Sequence, residues 1–198
     1  MISLPDDIMT LSRADSLSSF FEEAHMIPTF KYHPDPIATG AFIQGEPCKC
    51  ESCGKETDIW YKSPFYSIED VTCICPECIA DGSAAEKFDG SFQDEYSTDE
   101  VSDPAKLDEL VHRTPGYRGW QQEYWPAHCD DYCAFIAYVG WNELVEMNID
   151  KEIEETYKDG ISGLPLEEAK EGLTSGGLAG YLFKCLHCGK HVLLIDFD

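Results

Sequence analysis

The stretch CKCESCGK, residues 48–55, is followed about twenty residues later by CICPECIADG, residues 73–82. Both contain three cysteines in the spacing C-x-C-x-x-C. Zinc takes four soft ligands in a tetrahedron, and a C-x-x-C pair followed by glycine lets two thiolates converge from one tight turn. The first stretch has this form, and the second places its pair at the start of a predicted helix, where the exposed amides favour thiolate. The spacing predicts a zinc site whose ligands are Cys50, Cys53, Cys75 and Cys78.

The residues between these two cysteine groups predict how they are joined. TDIWYKSPFYS, residues 57–67, is rich in strand-forming aromatic residues and has Ser63-Pro64 at its centre, which indicates a β-hairpin with its bend there. In CPECIADGSAAEKF the proline lies just inside a helix start, and Ile79, Ala84 and Phe88 are predicted to face inward. A knuckle, a hairpin and a helix N-terminus in this order are typical of a treble-clef zinc finger.

Two more cysteines of the same region, Cys48 and Cys73, are not needed by this site. Each lies two residues before a C-x-x-C pair, so the two are expected to be close in the folded chain. One zinc ion cannot take six ligands. They are therefore alternate ligands, a reversible disulfide or small buried apolar groups, and the sequence does not choose among these.

A second ligand set is predicted from HCDDYC, residues 128–133, and the C-terminal knuckle CLHCG, residues 185–189. A helical turn would bring the first two thiols together, and the knuckle would supply the other two. His128 is a possible substitute ligand, and His187 is interpreted as a spacer. The four predicted ligands are Cys129, Cys133, Cys185 and Cys188.

Composition limits the possible partners and location. The ten cysteines occur in a chain whose N-terminus shows no secretory signal, so we expect a cytoplasmic protein with metal-bound thiols rather than disulfides. The longest apolar run, residues 133–141, is about half the length that crosses a bilayer. A formal net charge of −24 argues against binding to nucleic acid or an anionic membrane and favours a basic partner. Solubility alone is the alternative explanation for the acidity.

The remaining sequence predicts a mixed α+β fold of acidic helices and short antiparallel strands. Residues 1–25 are predicted to be an N-terminal extension with a short helix from residue 16, and residues 26–198 a domain with two zinc sites. A helix is predicted at 103–113, with Asp103 as its cap and Leu107, Leu110 and Val111 as its apolar stripe. Acidic helices at 141–158 and 165–173 form an insertion of about residues 141–175, and GYLFKC and HVLLIDFD form two strands around the last knuckle.

The aromatic loop after the helix at 103–113 has two interpretations. Its rings, Tyr117, Trp120, Tyr124 and Trp125, could form a recognition patch or pack into the core. We favour the core for most of them, because rings next to a metal site commonly shield its sulfurs from water.

The predicted sites argue against an enzyme. Both are coordinatively full, whereas catalytic zinc usually keeps an open position. The chain has no H-E-x-x-H motif, no serine nucleophile elbow and no Walker loop. An acid, base or metal role is conceivable for a few residues, but these are more often ordinary surface groups: His112, His128, Asp130 and Asp131.

Four stretches resemble the CbrC family of bacterial proteins, also designated UPF0167: PTFKYHPDPIATGAF, CPECIADGSAAEKFDGSF, TPGYRGWQQEYWPAHCDDYCAF and GYLFKCLHCG. The resemblance covers about residues 26–198 and implies that the eight predicted cysteine ligands bind metal, with Cys48 and Cys73 outside the family pattern. It also implies a defensive role, since the family is linked to tolerance of colicin E2, a DNA-cleaving bacteriocin.

We therefore expect a non-enzymatic protein with two Zn2+ ions that gives tolerance or immunity to a basic toxin, such as a nuclease, by binding it directly. The alternatives are a zinc-dependent regulatory or adaptor module in stress response and, third, a metalloenzyme. The sequence leaves the oligomeric state open.

Overall fold

The computed structural model of the protein describes residues 27–157 and 163–197. The predicted extension at 1–25 and its helix lie outside these residues. The elements in chain order are β1 (Phe42–Lys49), β2 (Glu56–Tyr61), α1 (Pro76–Ala80), α2 (Ser83–Phe88), α3 (Pro104–Arg113), β3 (Ala127–His128), β4 (Asp131–Tyr132), β5 (Ala134–Val139), α4 (Trp141–Glu146), α5 (Asp150–Thr156), α6 (Leu166–Ser175), β6 (Leu178–Lys184) and β7 (His191–Phe197). The mixture of helices and short antiparallel strands is the predicted α+β fold.

The first hairpin differs from the predicted one. Strand β2 pairs with β1, which precedes the first knuckle, so the knuckle itself forms the turn of the hairpin. The predicted hairpin at 57–67 is wrong: the chain leaves the sheet after β2, and Tyr66 instead makes a bridge to Ser91. Pro64 cannot donate a ladder hydrogen bond. Strand β1 is hard to recognise in the sequence because Gly45 and Pro47 fall where its register shifts.

The segment after the second cysteine pair forms two short helices. Helix α1 ends before Gly82, whose φ of 80° is left-handed, and α2 begins directly after it. A left-handed residue cannot continue a right-handed helix, which explains the break. The inward positions are as predicted, because Ile79, Ala84 and Phe88 are all buried.

Helix α3 is confirmed at the predicted position. The Asp103 carboxylate accepts a hydrogen bond from the Ala105 amide at 3.0 Å, and Pro104 occupies the first turn. Leu110 and Val111 are buried against the rest of the fold. This packing fixes α3 beside α1 and α2.

The C-terminal half is a three-stranded antiparallel sheet in the order β5-β6-β7. The predicted strand pair around the last knuckle is confirmed as β6 and β7, and β5 is the run that the sequence marked only as apolar. The acidic segment at 141–158 is divided into α4 and α5 near Asn148, whose φ is 58°, while α6 covers the segment predicted at 165–173. The second knuckle therefore connects β6, the central strand of the sheet, to β7, an edge strand.

Three hydrophobic clusters form the core, and two of them include cysteines that were predicted to bind metal. The first contains Cys50, Cys75 and Cys78, and the second contains Cys185. The rings of the aromatic loop are partly in the core and partly at the surface. Tyr117 and Trp125 are buried in the second cluster as expected, whereas Trp120 is 52% exposed. No helix in the part of the chain that the structure describes is long and apolar enough to cross a membrane.

Candidate metal centres

The first knuckle, residues 50–55, is a closed backbone turn. The amide of Cys50 donates to the Lys55 carbonyl at 2.8 Å, and the amide of Gly54 donates to the Cys50 carbonyl at 2.8 Å. Gly54 has a φ of 76°, a left-handed conformation that a residue with a Cβ adopts only at a cost. The turn brings the thiols of Cys50 and Cys53 to the same side of the hairpin tip.

The first centre consists of Cys50, Cys53, Cys75 and Cys78, whose sulfurs all lie within 4.8 Å of one another. The start of α1 supplies the second pair. Cys50 Sγ lies 3.9 Å from Cys78 Sγ, and Cys53 Sγ lies 3.9 Å from Cys75 Sγ. Zinc–sulfur bonds of about 2.3 Å in a regular tetrahedron place sulfurs about 3.8 Å apart. The four sulfurs therefore fit a tetrahedral ion of the size of zinc, at the residues that the sequence predicted.

The surroundings of the first centre favour thiolate in part of the group. Hydrogen bonding from the Cys75 thiol lowers the pKa of Cys50 to about 4, and backbone amides act in the same direction. One of those amides, that of Cys75, lies 3.3 Å from Cys50 Sγ. Burial raises the pKa of Cys78, so an apolar site needs a cation to hold this thiol ionised. Lys87 supplies a nearby positive charge, since its Nζ donates to the Glu51 carbonyl at 2.6 Å.

The two remaining cysteines of this region form a disulfide. Cys48, near the end of β1, is bonded to Cys73, just before α1. Of the three roles that the sequence left open, the structure therefore shows the disulfide. The general preference for metal-bound thiols over disulfides does not hold at this pair, because the fold places the end of β1 beside the segment that precedes α1.

The second knuckle, residues 185–190, repeats the turn of the first. The amide of Cys185 donates to the Lys190 carbonyl at 2.8 Å, and that of Gly189 donates to the Cys185 carbonyl at 3.0 Å. Gly189 has a φ of 76°, the same value as Gly54. The sequences of the two turns, CESCGK and CLHCGK, share the positions that the turn requires.

A hairpin, not a helix, faces the second knuckle. Strands β3 and β4 pair directly, and the two residues between them, Cys129 and Asp130, have φ values of 57° and 56°. Positive φ at both central residues is typical of the tight turn that joins two antiparallel strands. The turn points the side chain of Cys129 and that of its neighbour His128 toward the knuckle.

The second centre consists of His128, Cys129, Cys185 and Cys188, whose ligand atoms also lie within 4.8 Å of one another. His128 Nδ1 lies 3.2 Å from Cys129 Sγ and 3.3 Å from Cys188 Sγ. A tetrahedral zinc ion with ordinary Zn–N and Zn–S bonds separates such atoms by about 3.6 Å. The group is slightly tighter than that value and fits a tetrahedral ion after a small expansion.

The predicted ligand Cys133 is not in this group. It is fully buried in the second hydrophobic cluster, and burial raises its pKa to about 12. The helical spacing assumed for Cys129 and Cys133 fails because the chain forms a hairpin there, which places His128 beside the other three candidate ligands instead. The available signal was the histidine directly before Cys129, and the sequence had suggested this residue, His128, as a possible substitute ligand.

Contacts around the second centre position its hairpin. Asp131 is buried, and its carboxylate binds the Tyr32 hydroxyl at 2.8 Å, Lys31 Nζ at 3.0 Å and His187 Nε2 at 2.9 Å. His187 thus lies outside the ligand group, as expected for a spacer. Burial opposes ionisation of Asp131, but these partners lower its pKa to about 2. The Asp130 carboxylate accepts a hydrogen bond from the Ser102 amide at 2.7 Å. This bond joins the turn to the segment before α3.

The protein therefore belongs to a class of α+β folds with two C-x-x-C-G-K knuckles, each of which supplies two of the four ligands of a candidate metal centre. Comparison with known sequences is consistent with this description. Residues 27–197 match the uncharacterised protein family UPF0167, and the chain is a member of that family.

Relatives cover most of the chain. UPF0167 proteins of Mycobacterium bovis and Mycobacterium tuberculosis are each 40% identical over 177 residues, which cover 86% of this chain and 94% of the relative. A UPF0167 protein of Pseudomonas aeruginosa is 35% identical over 175 residues, covering 86% of this chain and 97% of the relative. No solved structure matches the chain.

Proposed function

We propose that the protein is a non-enzymatic, zinc-stabilised binding protein that captures a basic protein with an acidic surface. Its two centres each offer four ligands, a number that fills the tetrahedron of a structural zinc ion and leaves no position for a substrate. Thiolate and imidazole are ligands that zinc accepts readily. When bound, the ions crosslink distant segments, and the chain itself supplies the partner surface.

The observation that carries the proposal is an acidic cleft of about 760 Å³ beside α2 and α3. The two basic residues in its lining, His112 and Arg113, both bind Asp108, at 2.9 Å and 2.7 Å. Within the described ranges, the other carboxylates of the lining form no salt bridge. These carboxylates are Asp81, Glu86, Asp89, Asp94 and Glu95. The cleft is consequently an uncompensated negative surface.

The rim of this cleft adds aromatic contact area. Tyr96 is 87% exposed, and Tyr66 is also exposed, with its hydroxyl on the Glu123 carboxylate at 2.6 Å. Aromatic rings beside carboxylates suit lysine and arginine side chains, which pair with the charge and stack on the ring. A protein with a net charge of −24 also attracts a basic partner over a long range at low salt.

We further propose that the partner is a toxin and that a nuclease is the leading choice. A nuclease needs a cationic surface to hold DNA, and such a surface is complementary in charge to the acidic residues described here. The resemblance to a family linked to colicin tolerance supports a defensive role. In this proposal the protein acts in the cytoplasm and does not bind nucleic acid or membrane.

The test measures binding of the protein to an inactivated nuclease domain of the colicin E2 type by calorimetry. We expect binding that weakens as salt rises, and a deletion strain that loses survival on toxin challenge. Glu86→Lys with Glu95→Lys should weaken binding by about tenfold or more, since close charge pairs at such interfaces contribute strongly. The matched control is Glu168→Lys with Glu171→Lys on α6, which makes the same charge change outside the cleft.

Three results would contradict parts of this proposal. Absence of binding together with unchanged survival would exclude the toxin role. Binding to another basic protein through the same cleft would instead favour the regulatory or adaptor alternative. X-ray absorption that shows a coordination position open to solvent at either centre would favour the metalloenzyme alternative.

A further inference from the structure

We propose that the Cys48–Cys73 disulfide is a reversible redox-modification site that controls how firmly the first centre retains its metal ion. This inference does not depend on the identity of the partner protein. It rests on the placement of the only bonded cysteine pair within the described residues.

The disulfide and the first centre join the same two segments. Cys48 lies two residues before the ligand Cys50, and Cys73 lies two residues before the ligand Cys75. Backbone contacts run between the same segments, since the Glu51 amide donates to the Cys73 carbonyl at 2.9 Å. The hairpin tip and the start of α1 are therefore joined by a covalent bond, and an ion bound to the four sulfurs would join them a second time.

The Glu51 side chain strengthens this junction. Its carboxylate accepts hydrogen bonds from the amides of Thr72 and Cys73, at 2.8 Å and 3.1 Å. Lys87 also donates to the Glu51 and Ser52 carbonyls. Several hydrogen bonds therefore join the first knuckle to the neighbouring segments. The disulfide is the only one of these connections that a reductant can break.

The chemistry is ordinary thiol–disulfide exchange. A dithiol reductant attacks one sulfur, and after the second step it has become a disulfide, the Sγ–Sγ bond is broken, and Cys48 and Cys73 are thiols. Two electrons and two protons pass from the reductant to the protein. A disulfide oxidant reverses the reaction. In a compartment that keeps thiols reduced the pair is open, and oxidation closes it.

Two physical effects make the closed form retain metal better. In the oxidised chain the two ligand pairs stay close when the ion leaves, because the 25-residue separation between the cysteines is closed covalently. In the reduced chain only the ion closes this loop. The two new thiols also lie two residues from ligands, so they can take the ion temporarily and pass it to an external chelator. Both effects speed metal loss after reduction.

The test follows zinc transfer from the full-length protein to a chelating dye. The protein is loaded with zinc and prepared in two forms, oxidised and phosphine-reduced, and the state of the pair is checked by alkylation and mass spectrometry. The Cys48→Ser/Cys73→Ser variant is the matched control, because it cannot form the bond. Cys188→Ser removes a ligand of the second centre and so identifies which kinetic phase belongs to the first.

We expect the first-centre phase to be about tenfold faster or more in the reduced protein, a size that loop-closure entropy readily supplies. The double serine variant lacks both the bond and the two extra thiols, so it should release zinc at one rate in both conditions, faster than the oxidised wild-type protein and no faster than the reduced one. Equal or slower release from the reduced wild-type protein would overturn the proposal. So would free thiols at both positions after treatment with a disulfide oxidant. If the double variant does not fold, the two wild-type forms decide the question alone.

Discussion

The first and second centres each take two candidate ligands from a knuckle of the same structure, but their other two come from different elements. Both knuckles have the same two backbone hydrogen bonds and a glycine at φ 76°. A helix start completes the first centre with two cysteines, whereas a tight β-turn completes the second with a histidine and a cysteine. The comparison shows that the knuckle is a local structure, while the other two ligands depend on which element the fold brings to face it.

The two centres also differ in their exposure to solvent. Three of the four sulfurs of the first centre are buried in a hydrophobic cluster, and a disulfide joins the same segments. In the second centre Cys129 and Cys188 are exposed, and only Cys185 is buried. We therefore expect a metal ion in the first centre to be part of the core, and one in the second to exchange more easily.

The largest effect should come from removal of a buried ligand of the first centre. Cys78→Ser should lower the free energy of unfolding by about 5 kcal/mol or more, because structural zinc supplies much of the folding free energy of such modules. Thermal melting with metal analysis should show lost stability and one ion per chain instead of two. Unchanged melting would show that the first centre does not hold the fold together.

The ligand set of the second centre can be tested by two substitutions. His128→Ala should remove the second ion and cost about 4 kcal/mol, less than the loss expected at the first centre. Cys133→Ala should keep both ions and cost about 1–2 kcal/mol, because it removes only a buried sulfur from the core. Native mass spectrometry counts the ions. Loss of an ion in Cys133→Ala but not in His128→Ala would show that Cys133 is the ligand, as the sequence predicted.

The free energy of unfolding should depend on pH through His33, a residue outside both metal centres. His33 is fully buried, and burial lowers its pKa from 6.5 to about 4, although its Nδ1 donates to the Pro115 carbonyl. The unfolded chain therefore takes up the proton first as the pH falls. The free energy of unfolding should decrease between about pH 6.5 and pH 4 and then level off, with a total loss of about 3 kcal/mol.

The variant His33→Gln isolates this contribution. Glutamine cannot titrate, so the stability of the variant should fall less steeply over the same pH range. Metal loss at low pH affects both proteins and cancels in the difference between them. Parallel profiles in denaturant unfolding at several pH values would mean that His33 is not the titrating group.

The smallest effect should be the same at the two knuckles. Gly54→Ala and Gly189→Ala each force a Cβ into a left-handed conformation, which costs about 1–2 kcal/mol. No close contact adds to this cost, since the nearest heavy atoms to an added Cβ are 3.6 Å and 3.9 Å away. Denaturant unfolding of both variants should give similar losses. A difference well above this range would show that the two turns are not equivalent.

The correct sequence predictions all depend on local chemistry. The knuckles follow from C-x-x-C-G, and α3 follows from Asp103, Pro104 and the stripe that ends at Val111. These features satisfy their hydrogen bonds within a few residues, so a short stretch of sequence is enough to predict them. Each C-x-x-C pair of the first centre is local in the same way, and the structure brings the two predicted pairs together.

The incorrect predictions concern strands and turns whose pairing the sequence did not reveal. Strand β2 was assigned the wrong partner because β1 contains glycine and proline at its irregular point. Cys133 was chosen over His128 because a helical spacing was assumed where the chain forms a hairpin. Strand β5 appeared only as an apolar run, since its role depends on pairing with β6.

The amino-acid sequence by itself determined the two knuckle turns, the cap of α3, the acidic charge and the number of available thiols. Only the tertiary structure decided that Cys48 bonds to Cys73, that His128 lies with the three candidate thiol ligands of the second centre, and that carboxylates of α2, α3 and the intervening loop line one cleft. The physical reason is range: a turn or cap is stabilised by neighbours in the chain, whereas a disulfide, a four-ligand centre and a cleft need segments that only packing brings together.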